Sequence, residues 1–214
     1  MSAEGTIALL AAGASRRMRG RDKLLEYVAV RPLLRHLAQQ ALLTGWDVVI
    51  PLPTGPLGAK RQAVLTDLKV STLIVVDADE GMAAGLRAVA SRTKGPLMIV
   101  PADMPDLTSH DLQIMIAAHR SAPDRIIRAT SGTGQPGHPV VLPAGMVPLL
   151  LTLRGDQGAR DLLRRQDLEL IALDGQRAVT DLDTPEDWAR WRALSENTAP
   201  DVSRVEPQED GKQR

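Results

Sequence analysis

One stretch near the start of the chain has the residue types needed to bind a phosphate-bearing ligand. From Leu9 it reads LLAAGASRRMRGRDK, so small residues follow an apolar run and five cationic side chains then fall within eight positions. Small residues let backbone N–H groups approach an anion closely, and arginine and lysine add positive charge. Gly13, Arg17 and Lys23 are therefore candidates for contacting a triphosphate. The alternative is that the arginines only coat a solvated turn.

Two further stretches supply carboxylates that suit a divalent metal ion. Asp103, in PADMPD, directly follows the apolar run LMIV, and Asp181 and Asp183 alternate in VTDLDTPEDW. Carboxylates beside a phosphate ligand hold Mg²⁺ well. Asp103 could instead hydrogen-bond the proline turn around it, and Asp183 could cap the helix that Thr184 begins. Alternation along an extended segment predicts that Asp181 and Asp183 point to opposite faces, which leaves one free for a metal if the other caps.

The spacing of apolar residues predicts short strands alternating with helices. Strands are expected at 6–10, 46–52, 72–76, 96–100, 125–130, 139–142 and 168–173, and helices at 32–43, 58–68, 81–91, 108–119, 144–151, 158–165 and 184–194. This alternation predicts an α/β fold, a Rossmann-like, mostly parallel sheet with helices on both faces. The strands after Asp124 are closely spaced, which predicts an antiparallel excursion. In such sheets ligands bind beyond the carboxyl ends of the strands, where the loops bearing Lys23 and Asp103 begin.

Length and composition narrow the function classes. The 214 residues suit one domain, predicted at 1–194, followed by a polar, proline-containing tail at 195–214 that we expect to be disordered. The 26 cationic and 26 anionic residues balance and aromatic residues are scarce, which argues against nucleic acid and acidic membranes as partners. Cysteine is absent, which excludes disulfides and thiol nucleophiles. With neither a signal peptide nor a spanning segment in evidence, a cytoplasmic location is expected.

Taken together and in this order, these stretches resemble the molybdenum-cofactor nucleotidyltransferases, a branch of the NTP-transferase superfamily with a nucleotide-diphospho-sugar transferase type of fold. LLAAGASRRM…DKLL looks like that family's nucleotide loop, and PADMP is similar to its metal-binding aspartate segment. GQPGHP resembles the segment near the pterin, and DLDTPEDW the closing motif. The resemblance spans residues 7 to about 192.

The resemblance implies transfer of CMP from CTP to the terminal phosphate of molybdopterin, with release of pyrophosphate and with Mg²⁺ as cofactor. It implies catalytic roles for Arg17, Lys23 and Asp103, and metal binding by Asp103, Asp183 and Asp181. Nucleotide contacts are implied for Leu10, Ala11, Ala12, Gly13, Arg17, Lys23, Gly81 and Met82. Contacts with the pterin substrate are implied for His138, Asp156 and Arg160. A transient contact with a molybdoenzyme that receives the product is also implied.

Several of these assignments have structural alternatives. His138 could serve only to fix its loop, Met82 could be a packing residue, and Asp156 could cap a helix. Ala11-Ala12-Gly13 resembles the corresponding segment of the cytidylyltransferase members of the family. A methyl group at position 12 would crowd the floor of the base pocket, which is a physical reason for a pyrimidine base.

The chain also departs from the family pattern. Arg19 stands where glycine is usual, Val30-Arg31-Pro32 replaces Gly-Lys-Pro, and Ala84 and Gly85 stand where serines are expected near the nucleotide. The alternatives therefore remain GTP or another phosphorylated acceptor, or a non-catalytic carrier that holds nucleotide or cofactor for a molybdoenzyme.

Overall fold

A computed structural model describes residues 4–155 and 168–198 of the chain. Within these ranges the strands are β1 (Thr6–Leu10), β2 (Tyr27–Val28), β3 (Arg31–Pro32), β4 (Asp47–Pro53), β5 (Ser71–Val75), β6 (Leu97–Pro101), β7 (Ile126–Thr130), β8 (Pro136–Leu142) and β9 (Leu168–Ala172). The α-helices are α1 (Leu33–Leu42), α2 (Gly55–Ala63), α3 (Met82–Ala90), α4 (Ser109–Ser121) and α5 (Pro185–Thr198). Short 3₁₀ helices cover Arg16–Met18, Lys23–Leu25, Ala78–Glu80 and Ala144–Thr152.

Seven strands form one sheet in the order β5-β4-β1-β6-β8-β7-β9. Strands β5, β4, β1 and β6 are parallel neighbours, β8 runs antiparallel to both β6 and β7, and β9 is parallel to β7. The predicted Rossmann-like, mostly parallel sheet is confirmed, and β8 is the antiparallel excursion expected after Asp124. The carboxyl ends of β1 and β6 are adjacent, since Leu10 pairs with Pro101.

The sheet is covered on both faces, as alternating side chains along β1 show. Ile7 and Leu9 are fully buried in a cluster that includes residues of α1 and α4 and Trp188 of α5. Ala8 points the other way, into a second cluster with α3 and the Ala144–Thr152 helix. Strands buried on both faces are typical of parallel sheets with helical crossovers.

The boundaries differ from the sequence prediction by three residues or more at three described elements. Helix α2 begins at Gly55, because Pro56 suits the first helical turn, and it ends at Ala63, five residues before the predicted end. Strand β8 begins at Pro136, so the GHP segment belongs to the sheet and not to the predicted loop. Helix α5 continues to Thr198, four residues into the predicted tail. Residues 199–214 and the helix predicted at 158–165 lie outside the described residues.

The β2–β3 ribbon was not predicted, since its two-residue strands are too short to show a hydrophobic period. Among residues 4–155 and 168–198, no helix is both long enough and apolar enough to cross a membrane.

Candidate nucleotide-binding site

The loop after β1 presents free backbone donors. None of the N–H groups of Ala12, Gly13, Ala14 and Ser15 donates a hydrogen bond to an acceptor in the described parts of the chain. Ser15 has a left-handed backbone with φ of 51°, which turns the chain into the Arg16–Met18 helix. Successive free N–H groups in a turning segment form a concavity suited to anions.

Lys23 lies between two of the predicted carboxylates. Its Nζ is 2.5 Å from Asp103 Oδ2 and 2.7 Å from Asp183 Oδ1, although these residues are 80 and 160 positions away in sequence. All three side chains are only 15–16% exposed. Arg17 reaches the other oxygen of Asp183 at 2.8 Å, with its own side chain mostly in solvent. Two cations and two carboxylates thus converge at the carboxyl edge of β1 and β6.

Burial alone would lower the pKa of Lys23, but the charge of Asp103 and the hydrogen bonds to Asp103 and Asp183 outweigh it. The pKa of Lys23 is therefore raised from its ordinary value, and the side chain carries a positive charge throughout the physiological range.

One carboxylate oxygen of Asp103 is available to bind a metal ion. Its Oδ1 is buried and has no hydrogen-bond partner among the described residues, whereas Oδ2 binds Lys23. The carboxylate therefore does not bond the proline turn, which was the structural alternative for Asp103. A buried carboxylate oxygen without a donor is costly unless a cation or a ligand approaches it. This oxygen of Asp103 is thus available to a divalent metal ion.

Asp183 does not cap α5. Thr184 caps it instead, since Asp187 N donates to Thr184 Oγ1 and Thr184 N donates to the Asp187 carboxylate. Burial, followed by the charges of Asp103 and Asp183, raises the pKa of Asp181.

Asp181 nevertheless lines a neighbouring cavity and does not line the one that holds Lys23. Across the described ranges no group of three or more His, Cys, Asp or Glu side chains has a metal-holding arrangement. The predicted three-carboxylate set is thus reduced to Asp103 and Asp183, with Asp181 beside them.

Most of the predicted site residues line one cavity of about 460 Å³. The predicted residues at its wall are Leu10, Ala12, Gly13, Arg17, Lys23, Gly81, Met82, Asp103, His138 and Asp183. Met82 is 53% exposed, so it is not the packing residue of the alternative interpretation. Ala11 is fully buried and is absent from the wall. Asp156 and Arg160 lie outside the described residues.

The arginine-rich stretch divides between the cavity and the solvent. Arg16 and Arg17 line the cavity, whereas Arg19 pairs with Glu186 at 2.6 Å and Arg21 with Glu26 at 3.2 Å. Arg19 has a left-handed backbone with φ of 53°, the conformation that favours glycine. This explains why glycine is usual at that position and shows that the arginine is accommodated there.

His138 lies on the cavity wall with a neutral imidazole. Burial, assisted by the charge of Arg128 and opposed by Asp103, lowers its pKa to about 4. Its backbone N–H also donates to Ala178 O at 2.8 Å, so the residue both fixes its strand and faces the cavity. The neighbouring Gly137 permits this contact, because a Cβ there would lie 1.8 Å from the same carbonyl oxygen.

The floor of the cavity contains two small residues. A Cβ added at Gly85 would lie 3.7 Å from the Ala12 Cβ and 3.7 Å from Pro51 Cγ, both ordinary contacts. Both residues line the cavity, and the absent side chain at Gly85 leaves the space of a methyl group beside Ala12 and Pro51. Ala84, the other departure, is buried and does not line the cavity.

Sequence reasoning missed Arg61 of α2. Its side chain is fully buried and makes five hydrogen bonds to the nucleotide loop and to Asp22. A signal existed, because Arg61 shares the inward-facing helical stripe of Gly58 and Leu65. A cation on such a stripe is rarely buried unless it has partners.

The mostly parallel, Rossmann-like sheet, with backbone N–H groups, a charged lysine and paired carboxylates at one edge, has the fold of the nucleotide-diphospho-sugar transferases and is suited to a nucleoside triphosphate. The sequence gives the family. Residues 7–170 match the MobA-like NTP transferase domain, and the chain belongs to that family.

The chain is also similar to proteins of known sequence or structure. The chain is similar to the purine catabolism protein PucB of Bacillus subtilis (strain 168), with 27% identity over 192 residues, covering 84% of this chain and 91% of PucB. A crystal structure of Rv0371c from Mycobacterium tuberculosis H37Rv superposes with a TM-score of 0.77 at 25% identity, over 89% of this chain and 98% of that one. The structure of Rv0371c with manganese gives a TM-score of 0.67 at 26% identity, over 86% and 96% of the two chains.

A more distant structure with the same fold is that of the molybdopterin-guanine dinucleotide biosynthesis protein A of Archaeoglobus fulgidus. It superposes with a TM-score of 0.67 at 14% identity, over 90% of this chain and 98% of that one.

Proposed function

We propose that the protein transfers CMP from CTP to the terminal phosphate of molybdopterin and releases pyrophosphate. The observation that carries this proposal is the placement of Lys23 between Asp103 and Asp183, on the wall of the cavity that the N–H loop also lines. Binding of a triphosphate needs hydrogen-bond donors and positive charge around its phosphates. A metal-assisted transfer also needs carboxylates that hold the metal ion beside the reacting phosphorus.

The proposed reaction is a displacement at the α-phosphorus of CTP. An oxygen of the acceptor phosphate attacks that phosphorus. The bond between the α-phosphorus and the oxygen that links it to the β-phosphorus breaks, so that pyrophosphate leaves with the electron pair. The acceptor phosphate is already ionised near neutral pH, so the step needs no side chain as a base. Such transfers depend mainly on position and charge neutralisation.

The residues of the cavity have separate tasks in this scheme. The N–H groups around Gly13 bind phosphate oxygens, and Lys23 and Arg17 neutralise the charge that builds on the leaving pyrophosphate. Asp103 and Asp183 would hold Mg²⁺, which neutralises the charge shared by the α-phosphate and the leaving group when it is bound. The manganese complex of Rv0371c supports a divalent metal in this fold. His138, kept neutral by its burial, faces the acceptor side without adding charge.

The acceptor assignment rests on sequence motifs. GQPGHP and DLDTPEDW resemble the pterin and closing segments of the molybdenum-cofactor nucleotidyltransferases. His138 and Asp183, one from each segment, both line the cavity. The fold shared with the molybdopterin-guanine dinucleotide biosynthesis protein is consistent with this acceptor. Delivery of the product to a molybdoenzyme belongs to the same proposal, as does a cytoplasmic location.

A second candidate, the same transfer with GTP, is favoured by Gly85. The methyl group of Ala12 supports a pyrimidine. Gly85 has no side chain beside that methyl group, so it leaves a larger base more room than the serine expected at this position would. Purified protein should be assayed for pyrophosphate release with CTP and with GTP, each with and without molybdopterin. Pyrophosphate release that requires molybdopterin and occurs with CTP supports the proposal. If release occurs with GTP and not with CTP, GTP is the nucleotide substrate. If neither nucleotide gives release, the protein is the non-catalytic carrier.

A further inference from the structure

Arg61 is a buried cation outside the cavity, and it binds the back of the nucleotide loop. Its side chain is 0% exposed, and it does not line the cavity. One terminal nitrogen donates to the carbonyl oxygens of Ala11, at 2.6 Å, and Gly13, at 2.7 Å. The other donates to Ser15 Oγ at 3.1 Å, and the guanidinium makes two hydrogen bonds of 2.8 Å with the Asp22 carboxylate.

These bonds orient the donors of the loop. In a trans peptide the carbonyl and the following N–H point in opposite directions. Because Arg61 holds the carbonyls of Ala11 and Gly13 on the buried side, the N–H groups of Ala12 and Ala14 point away from it. Both alanines line the cavity, and neither N–H has a partner among the residues described.

The same guanidinium also fixes the start of the segment that carries Lys23. Asp22, held by Arg61, accepts a hydrogen bond from Leu24 N at 3.1 Å and one from Ser15 Oγ at 3.0 Å. Asp22 is thereby the N-cap of the Lys23–Leu25 helix. One side chain therefore connects the two parts of the site to which the proposed function assigns phosphate binding, the N–H loop and the lysine.

We infer that Arg61 is the positioning residue that preorganises this loop for a nucleoside triphosphate. The inference rests on the proposed function for its ligand, and it assigns Arg61 no contact with that ligand. Only the planar guanidinium group of arginine can make two hydrogen bonds to a carboxylate and also donate to two carbonyl oxygens. Lysine therefore cannot replace it. The approach of α2 depends on Gly58, where a Cβ would lie 1.8 Å from Pro53 O.

The test uses four variants of the full chain, Arg61→Met, Arg61→Lys, Asp22→Asn and the double variant Arg61→Met/Asp22→Asn. Arg61→Met alone leaves the Asp22 charge buried and is expected to lower stability. The double variant removes both charges and restores much of that stability. Amide exchange of the ligand-free protein, thermal unfolding, CTP·Mg²⁺ and GTP·Mg²⁺ affinity, and kcat and KM would be measured for each.

A positioning role predicts faster amide exchange in residues 11–25 and a fall of about 10²-fold in kcat/KM, carried mainly by KM, because a loop that is no longer preorganised must be ordered when the nucleotide binds. Both effects should persist in the double variant and in Arg61→Lys. The control is Arg35→Met, because Arg35 makes a similar two-bond pair with Asp67 away from the cavity. That variant should change neither loop exchange nor KM.

Two results would overturn the inference. If the double variant regains wild-type affinity and loop exchange, Arg61 only neutralises Asp22. If Arg61→Lys is fully active, charge alone is sufficient. Wild-type protein that binds neither nucleotide would refute the proposed function instead, and the exchange of the ligand-free loop would then decide whether Arg61 fixes it.

Discussion

Replacing Lys23 by methionine is the most informative single perturbation of the site. The side chain keeps its length and loses its charge, together with hydrogen bonds of 2.5 and 2.7 Å to Asp103 and Asp183. Removing one partner of a buried ion pair typically costs 3–5 kcal/mol, and these side chains retain 15–16% exposure. We therefore expect a loss of about 2–3 kcal/mol in the free energy of unfolding.

The effect on turnover should be separate from this loss of stability. Removing one preorganised charge-stabilising donor lowers kcat by roughly 10²–10³-fold, equivalent to about 2.7–4 kcal/mol of transition-state stabilisation. A second change, Asp103→Asn, relieves the unpaired charge that Lys23→Met leaves behind, because Asp183 still pairs with Arg17. The double variant should regain part of the stability and none of the turnover.

The assay is continuous pyrophosphate release with CTP, Mg²⁺ and molybdopterin, at a temperature where each variant is folded by circular dichroism. Arg21→Met is the matched control, because Arg21 belongs to the same cationic stretch but pairs with Glu26 outside the cavity. Its turnover should stay within about twofold of wild type, since exposed ion pairs contribute little. A Lys23→Met enzyme that keeps one third or more of wild-type kcat would refute the role given to this lysine.

The remaining predictions concern four other positions. Gly13→Ala should leave the unfolding midpoint unchanged, since a Cβ there meets nothing within 4 Å, but should weaken CTP binding in calorimetry because the methyl group enters the cavity; unaltered binding would contradict the loop assignment. Gly85→Ala should raise the free energy of unfolding by about 1 kcal/mol through helix propensity and lower GTP use relative to CTP, and an unchanged CTP/GTP ratio would show that the base lies elsewhere. His138 has a folded pKa of about 4 against an ordinary 6.5, so the unfolded state binds more protons between these values. Wild-type stability should therefore fall by up to about 3 kcal/mol more than that of His138→Gln as pH drops from 7 to 4 in urea titrations, and parallel curves would disprove the shift. Arg19→Gly should keep kcat/KM within about threefold, because Arg19 faces Glu186 and not the cavity, and a larger fall would place that arginine in the site.

The sequence was sufficient to place Lys23 near Asp103 for a general reason. Both residues follow buried strands, and the carboxyl ends of parallel neighbours lie at one edge of a sheet. The pairing of β1 with β6 supplies that adjacency. The cap of α5 by Thr184 was likewise readable, because capping depends on residues a few positions apart.

Contacts between distant segments could not be predicted from the sequence. The helical spacing of Arg61 indicates an inward-facing cation, but it does not identify the partners, which lie 39 to 50 positions away. The bridging of both carboxylates by Lys23 joins three separate segments. Local pattern specifies the elements, whereas these side-chain contacts arise from how the elements pack.

The central claim, transfer of a cytidylyl group at this cavity, is tested most directly by the mass of the product. Wild-type protein would be incubated with CTP, Mg²⁺ and molybdopterin, and the pterin fraction analysed by mass spectrometry. We predict a pterin species heavier by one CMP unit, formed with one pyrophosphate and missing when Asp103→Asn replaces wild type. Recovery of unmodified molybdopterin from active, folded protein, or an equal yield from Asp103→Asn, would contradict the account.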